Sequence, residues 1–241
     1  EEERESPLSL AAIIARENIF GNHPHRYSRL GTVDVIKESD SEKLLNFYSE
    51  YGVSNNGVIT LCGAIDSNKV INKIEDCLSN IKTGEAMNTN FEDPQWPLKE
   101  KEVEIKHHKE QAVVMIAFPG LSINSDERAT ISVIEEIAGG MDGLLFTRIR
   151  EELGLAYYVG MSQMVGYSSG SILFYAGTNS ESVLKVKNEL NLIIESLVKE
   201  KIGEDVLTRA KNALIGKYAL SKQSLSARSQ SMALNLLYGL G

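Results

Sequence analysis

Cysteine is scarce in these 241 residues: Cys62 and Cys77 are the only two. Two thiols make no disulfide framework at this length, so an apolar core has to hold the fold. Cys62 stands in an apolar, strand-like run and Cys77 on the apolar face of a helix-like segment. Both are therefore expected to be buried thiols rather than ligands or nucleophiles. No run of eighteen apolar residues occurs, so no membrane-spanning helix is expected. Basic charge is also in short supply. Lys and Arg total 25 against 33 Asp and Glu, a formal charge of −8. A general nucleic-acid binder would need a basic face, so that class is set aside. No short repeat, heptad pattern or low-complexity tract is present. Histidine stops at four: His23, His25, His107 and His108. No two of them stand one helical turn apart, and Pro24 separates the first pair. His107-His108 ends a strand-like run, where neighbours should point to opposite faces. A metal role is expected for neither pair.

What is present reads as an ordinary globular chain, 42% hydrophobic and 24% charged, long enough for a sizeable core. Ser6-Pro7 opens a helix over 7–20, with Leu8, Ala11, Ala12, Ala15 and Ile19 on one face. Gly21-Asn22-His23-Pro24 breaks it. A second helix starts near Ser39 or Asp40. The apolar run Val58–Ile65 predicts a strand buried on both faces or in a central sheet position. A helix over 67–81 follows. Residues 83–100 are polar and carry Pro94 and Pro97, the best linker in the chain.

Beyond it, Lys101–His107 alternates as a strand, and Gln111–Phe118 is another. Helical spacing marks 125–138, 143–152, 180–199 and 204 to beyond Tyr218, with a break near Ser221. Strands are predicted at 156–165 and 170–177. Hairpin strands with helices gathered between them indicate an α+β layered domain, not a doubly wound sheet.

The stretch Gly139–Tyr157 fits no plain core element. It holds four glycines, Arg150 and Tyr157. Glycine costs backbone entropy, so four of them indicate tight turns or close backbone approach. Arg150 and Tyr157 can both reach polar backbone groups of a partner. On the residues alone, Arg150 can equally pair with Glu151 or Glu152 on the surface, and Tyr157 can pack in the sheet.

Gly139-Gly140-Met141, Leu145-Phe146, Arg150-Glu151-Glu152 and Gly154-Leu155-Ala156-Tyr157 together resemble the signature of the pitrilysin-type zinc metallopeptidases, which include the mitochondrial processing peptidases. Glu110-Gln111-Ala112, Phe118-Pro119-Gly120, Asp126 and Gly170–Thr178 fit the same pattern. So do Phe20-Gly21-Asn22-His23-Pro24, Gly31-Thr32, Ile36, Tyr51, Asn55-Asn56 and Gly63-Ala64-Ile65-Asp66. The resemblance covers essentially the whole chain. One departure is Asp142-Gly143-Leu144-Leu145, where the family often has a small polar residue and Arg.

The resemblance implies two related layered α/β-sandwich units with mostly antiparallel sheets covered by helices, the first incomplete. Residues 1–84 would be the C-terminal part of a normally zinc-binding domain, 85–100 the linker, and 101–241 a metal-free substrate-binding domain, truncated at its end. It implies that Arg150 and Tyr157 grip the substrate carbonyl near the scissile bond. It also implies zinc in a longer parent protein, held by His-x-x-Glu-His and a further Glu. That motif is absent here. Glu1, Glu2 or Glu3 could match the third ligand, but a lone Glu would not hold zinc. The chain has no initiator Met and reads as the inside of a longer product. It is expected to carry no catalytic residue and to be inactive alone. The expected function is a fragment of an endopeptidase that cleaves peptides in an enclosed chamber. The alternative is a non-catalytic partner or structural subunit, and a plain ligand-binding domain would leave the long match unexplained. A homodimer or paralogous partner, and a cytoplasmic or organelle-matrix location, are the remaining expectations.

Overall fold

The computed structural model describes residues 5–88 and 91–240. By its internal contacts the chain divides into two compact units. One takes Glu1–Arg29 with Glu92–Ile215, the other Leu30–Phe91 with Gly216–Gly241. This partition differs from a sequential division at 85–100. The opening helix, α1 (Pro7–Ile19), belongs with the later residues and packs on their sheet. The Ser6 side chain caps it by accepting from the Ser9 amide, and Pro7 occupies a first-turn position where no amide is needed.

The first unit is α+β. Its sheet holds β1 (Gln111–Gly120), β2 (Tyr158–Met164) and β3 (Gly170–Asn179) in the order β1-β3-β2, antiparallel throughout. The register aligns Val114 with Ala176 and Val159, and Ile116 with Phe174 and Met161. Strand period 2 places these side chains on one face. There they meet α5 (Arg128–Gly139) and α6 (Val183–Lys199), whose Val186, Leu190 and Ile193 recur at helical spacing. Leu145, Ile149, Ala176, Val186 and Leu190 are fully buried in this cluster. Each fully buried side chain of Leu or Ile size contributes about 1.5–3 kcal/mol of transfer free energy. Helix α1 contacts β1 and β3, and none of its side chains joins that cluster. Its end is fixed by Phe20, fully buried, whose ring lies 5.6 Å from Trp96.

The second unit contains α2 (Val33–Glu38), α3 (Ser41–Tyr51), α4 (Ser67–Leu78) and α8 (Leu225–Tyr238). The long α7 (Glu204–Ser221) carries the chain from the first unit into the second. Asp40 caps α3 by accepting from the Lys43 amide at 2.8 Å, and Asp66 caps α4 through the Asn68 and Lys69 amides. Helix α2, which the hydrophobic pattern does not predict, is nucleated by Thr32, whose hydroxyl accepts from Val35.

Two expected strands do not form. Neither 58–65 nor 101–107 joins a ladder among the described residues. A strand exists only where a neighbour supplies N–H and C=O partners. Thr60 instead bonds across to α8: its hydroxyl donates to the Ser229 carbonyl at 2.8 Å, and Ser229 Oγ donates back to the Thr60 carbonyl at 3.0 Å. In 101–107 the tethers are side chains, with Lys101 on Asn18 and Glu102 on Lys187. The expectation for the cysteines is corrected as well. Cys77 is exposed, because the apolar face of α4 opens on a groove with Ile59 and Leu61, and Cys62 is half-buried. Among the described residues no helix is long and apolar enough to cross a membrane.

Candidate functional site

The glycine-rich stretch links α5 to β2 over the covered face of the sheet. At its start Gly139 passes so close to β2 that an added Cβ would stand 2.7 Å from the Met161 amide nitrogen. Only glycine fits there without moving backbone. The turn that follows leaves Met141 almost fully exposed, at 92%. The chain then winds into a π-helical turn, Phe146–Glu152. Such turns are rare, occur mostly as single turns, and are frequent at functional sites. Two anchors sink it into the core: Leu145, just before it, and Ile149, within it, are both fully buried.

On the solvent side of this turn the two arginines part company. Arg148 donates to Glu152 at 2.9 Å and, across to α6, to Glu189 at 3.0 Å. These two bonds raise its pKa further, Glu152 being the larger cause. Arg150 makes no ion pair among the described residues. Its guanidinium lies over the Phe146 ring, 5.0 Å from the centroid. At an exposed site that contact is worth only about 0.5–1 kcal/mol. The surface pairing with Glu152 that the sequence allowed for Arg150 thus belongs to Arg148.

Tyr157 reaches the surface from the next loop. The Leu153 amide donates to Arg148 O at 3.2 Å, and Gly154 turns the chain with φ +60°. The Leu155 amide then donates to Ile149 O at 2.9 Å, and the Tyr157 amide to Gly177 O of β3 at 2.8 Å. Thr178, fully buried, donates its hydroxyl to Leu155 O at 2.5 Å. With its backbone tied on both sides, Tyr157 is 60% exposed rather than packed in the sheet. The arrangement offers a guanidinium and a phenol, both hydrogen-bond donors, on a rigid base.

The histidines sit elsewhere. His23 caps the short 3-10 turn Pro24–Arg26, and its Nδ1 accepts from the His25 amide at 3.1 Å. That leaves the ring proton on Nε2, which faces Ser168 Oγ at 3.1 Å. Burial holds both His23 and His25 below the ordinary value of 6.5; Asp93 opposes this at His23, while His23 itself adds to it at His25. His107 and His108 do not point to opposite faces. Their rings stack with centroids 4.3 Å apart, because the segment is not in a sheet. Among the described residues no three His, Cys, Asp or Glu side chains converge on a possible metal position. These residues do not fit a zinc site, and Glu1, Glu2 and Glu3 lie outside the described residues.

Residues 40–214, more than half of the chain, match the family model for the peptidase M16 inactive domain. The chain belongs to the peptidase M16 family. The M16 chain is 26% identical over 224 residues to an uncharacterized zinc protease of Rickettsia felis, covering 90% of this chain and 52% of that protein. It is 24% identical over 226 residues to the uncharacterized zinc protease YmxG of Bacillus subtilis, covering 93% and 54%. It therefore spans about half the length of the curated relatives it matches. Zinc is in the names of these M16 relatives. In fold, it is similar to the crystal structure of a peptidase M16 inactive domain from Pseudomonas fluorescens, with a TM-score of 0.88 at 19% identity, covering 100% of this chain and 57% of that one. A protease from Helicobacter pylori aligns with a TM-score of 0.82 at 18% identity, covering 99% and 60%.

Proposed function

We propose that this M16 chain supplies the substrate-gripping surface of a zinc-dependent endopeptidase that cleaves peptides in an enclosed chamber. The observation that carries the reading is that two exposed donors, Arg150 and Tyr157, stand on a turn and a loop that are both tied to one core. Among the described residues Arg150 is occupied only by a weak ring contact, so a ligand oxygen displaces little. A peptide carbonyl offers two lone pairs, and a guanidinium with a phenol can satisfy both. Donors held in place gain most where negative charge develops on that oxygen, because they need no reorganisation during the reaction. The zinc and its general base would come from the longer protein, and this chain contributes binding and orientation alone. The proposal extends to a second copy or a paralogous subunit as the partner that closes the chamber, and to the cytoplasm or an organelle matrix as its location.

The test is direct. The longer gene product should contain His-x-x-Glu-His upstream of this chain and should cleave unfolded peptides only when loaded with zinc. A product lacking that motif and inert towards peptides would instead make the chain part of a non-catalytic partner subunit.

A further inference from the structure

The core of the first unit holds a polar group that the substrate grip leaves unexplained. Thr178 is fully buried beside the apolar cluster, and its hydroxyl is spent on one acceptor, the Leu155 carbonyl, at 2.5 Å. A buried hydroxyl costs free energy unless it is bonded, so a valine of equal shape would be the simpler occupant. The loop it holds explains the hydroxyl. Leu155 is tied at its amide to Ile149 O, on the turn that bears Arg150. It is tied at its carbonyl to Thr178, on β3. Two residues on, the Tyr157 amide is tied to Gly177 O, on the same strand. Backbone bonds alone leave the Leu155 peptide fixed on one side. The threonine fixes the other side, and so sets where Tyr157 leaves the loop relative to Arg150.

We infer that Thr178 is a positioning residue for the substrate grip, holding Tyr157 in register with Arg150 without touching substrate itself. The inference rests on the role proposed for Arg150 and Tyr157. Its logic is geometric: an active-site group displaced by a fraction of an ångström to an ångström loses much of its effect in the transition state while still meeting the substrate. Loss of the Thr178 hydroxyl should therefore lower kcat and leave KM largely alone.

The experiment compares Thr178→Val, Thr178→Ser and Tyr157→Phe in the zinc-loaded full-length protein. Residue-resolved amide exchange is measured on the same samples. Thr178→Val is expected to lower kcat about tenfold with little change in KM, and Thr178→Ser, which keeps the donor, to restore most of it. Exchange at the Leu155 and Tyr157 amides should accelerate about tenfold in the valine variant and not in the serine variant. Thermal unfolding followed by circular dichroism confirms that the variants are folded at the assay temperature. Valine kinetics equal to wild type beside an impaired Tyr157→Phe would overturn the role of Thr178 and leave the grip standing. An unimpaired Tyr157→Phe would overturn the grip, and Thr178 as its positioner with it. Unchanged exchange in the valine variant would also overturn the inference, whatever the activity.

Discussion

Ile149→Ala probes the junction of core and site. Ile149 has no exposed surface and lies in the cluster formed by Leu145, Phe174, Val186 and Leu190. Its own carbonyl accepts from Leu155, so the residue anchors the Arg150 turn and the Tyr157 loop together. The substitution removes three carbons, a transfer loss of about 2.4 kcal/mol at about 0.8 kcal/mol each. Neighbours drawn from three strands and two helices cannot close the space fully, so a cavity term raises the cost to about 3–4 kcal/mol. Ile149→Val removes one carbon and should cost about 1 kcal/mol. Urea unfolding followed by tryptophan fluorescence measures both. Trp96 is the one tryptophan of the sequence and packs against Phe20 in the same unit. In thermal melts the alanine variant should fall by about 10 °C, given about 2–4 °C per kcal/mol for a unit of this size. A cost for alanine no greater than for valine would refute the placement of Ile149 at the centre of a packed core.

Two further predictions follow from charge. His23 and His25 are held neutral by burial, so the unfolded chain binds more protons than the folded one in mild acid. Their contribution to stability is full above the unfolded value of 6.5 and is lost as pH falls through their lowered folded values. Melting temperature should therefore drop between pH 7 and pH 5, and His25→Gln should flatten that drop; an unchanged slope would contradict the burial of this pair. Arg148→Ala breaks bonds to Glu152 and Glu189 on an exposed face. It should shift the urea midpoint only slightly, by an amount that shrinks with added salt, and a large, salt-insensitive loss of stability would show the pair to be far better shielded than it is here.

Much of the fold was legible in the chain. Ser6-Pro7, Asp40 and Asp66 announce helices because each cap is a local bond between residues two or three apart. Apolar runs of strand length mark β1 and β3, each closed by a turn or helix signal. The failures are equally physical. Val58–Ile65 has the composition of a strand, yet a ladder depends on a neighbour, and Thr60 finds Ser229 from 169 residues away. Alternation in 101–107 failed for the same reason, and with it the opposed faces expected of His107 and His108. At the site, the glycines pointed to close approach, and Gly139 shows it. The partner of Glu152 was not legible. Arg148 and Arg150 both stand within reach in sequence, and only the π-helical winding decides that Arg148 takes it. Thr178 carried one weak signal, a polar residue closing an apolar strand.

The central claim is that Arg150 and Tyr157 act together on bound peptide. It is tested most directly by steady-state kinetics of Arg150→Ala and Tyr157→Phe in the zinc-loaded full-length protein. Each should lower kcat/KM at least about tenfold, a loss of about 1.4 kcal/mol of transition-state stabilisation, with unfolding curves unchanged. Wild-type kinetics in both variants would contradict the account.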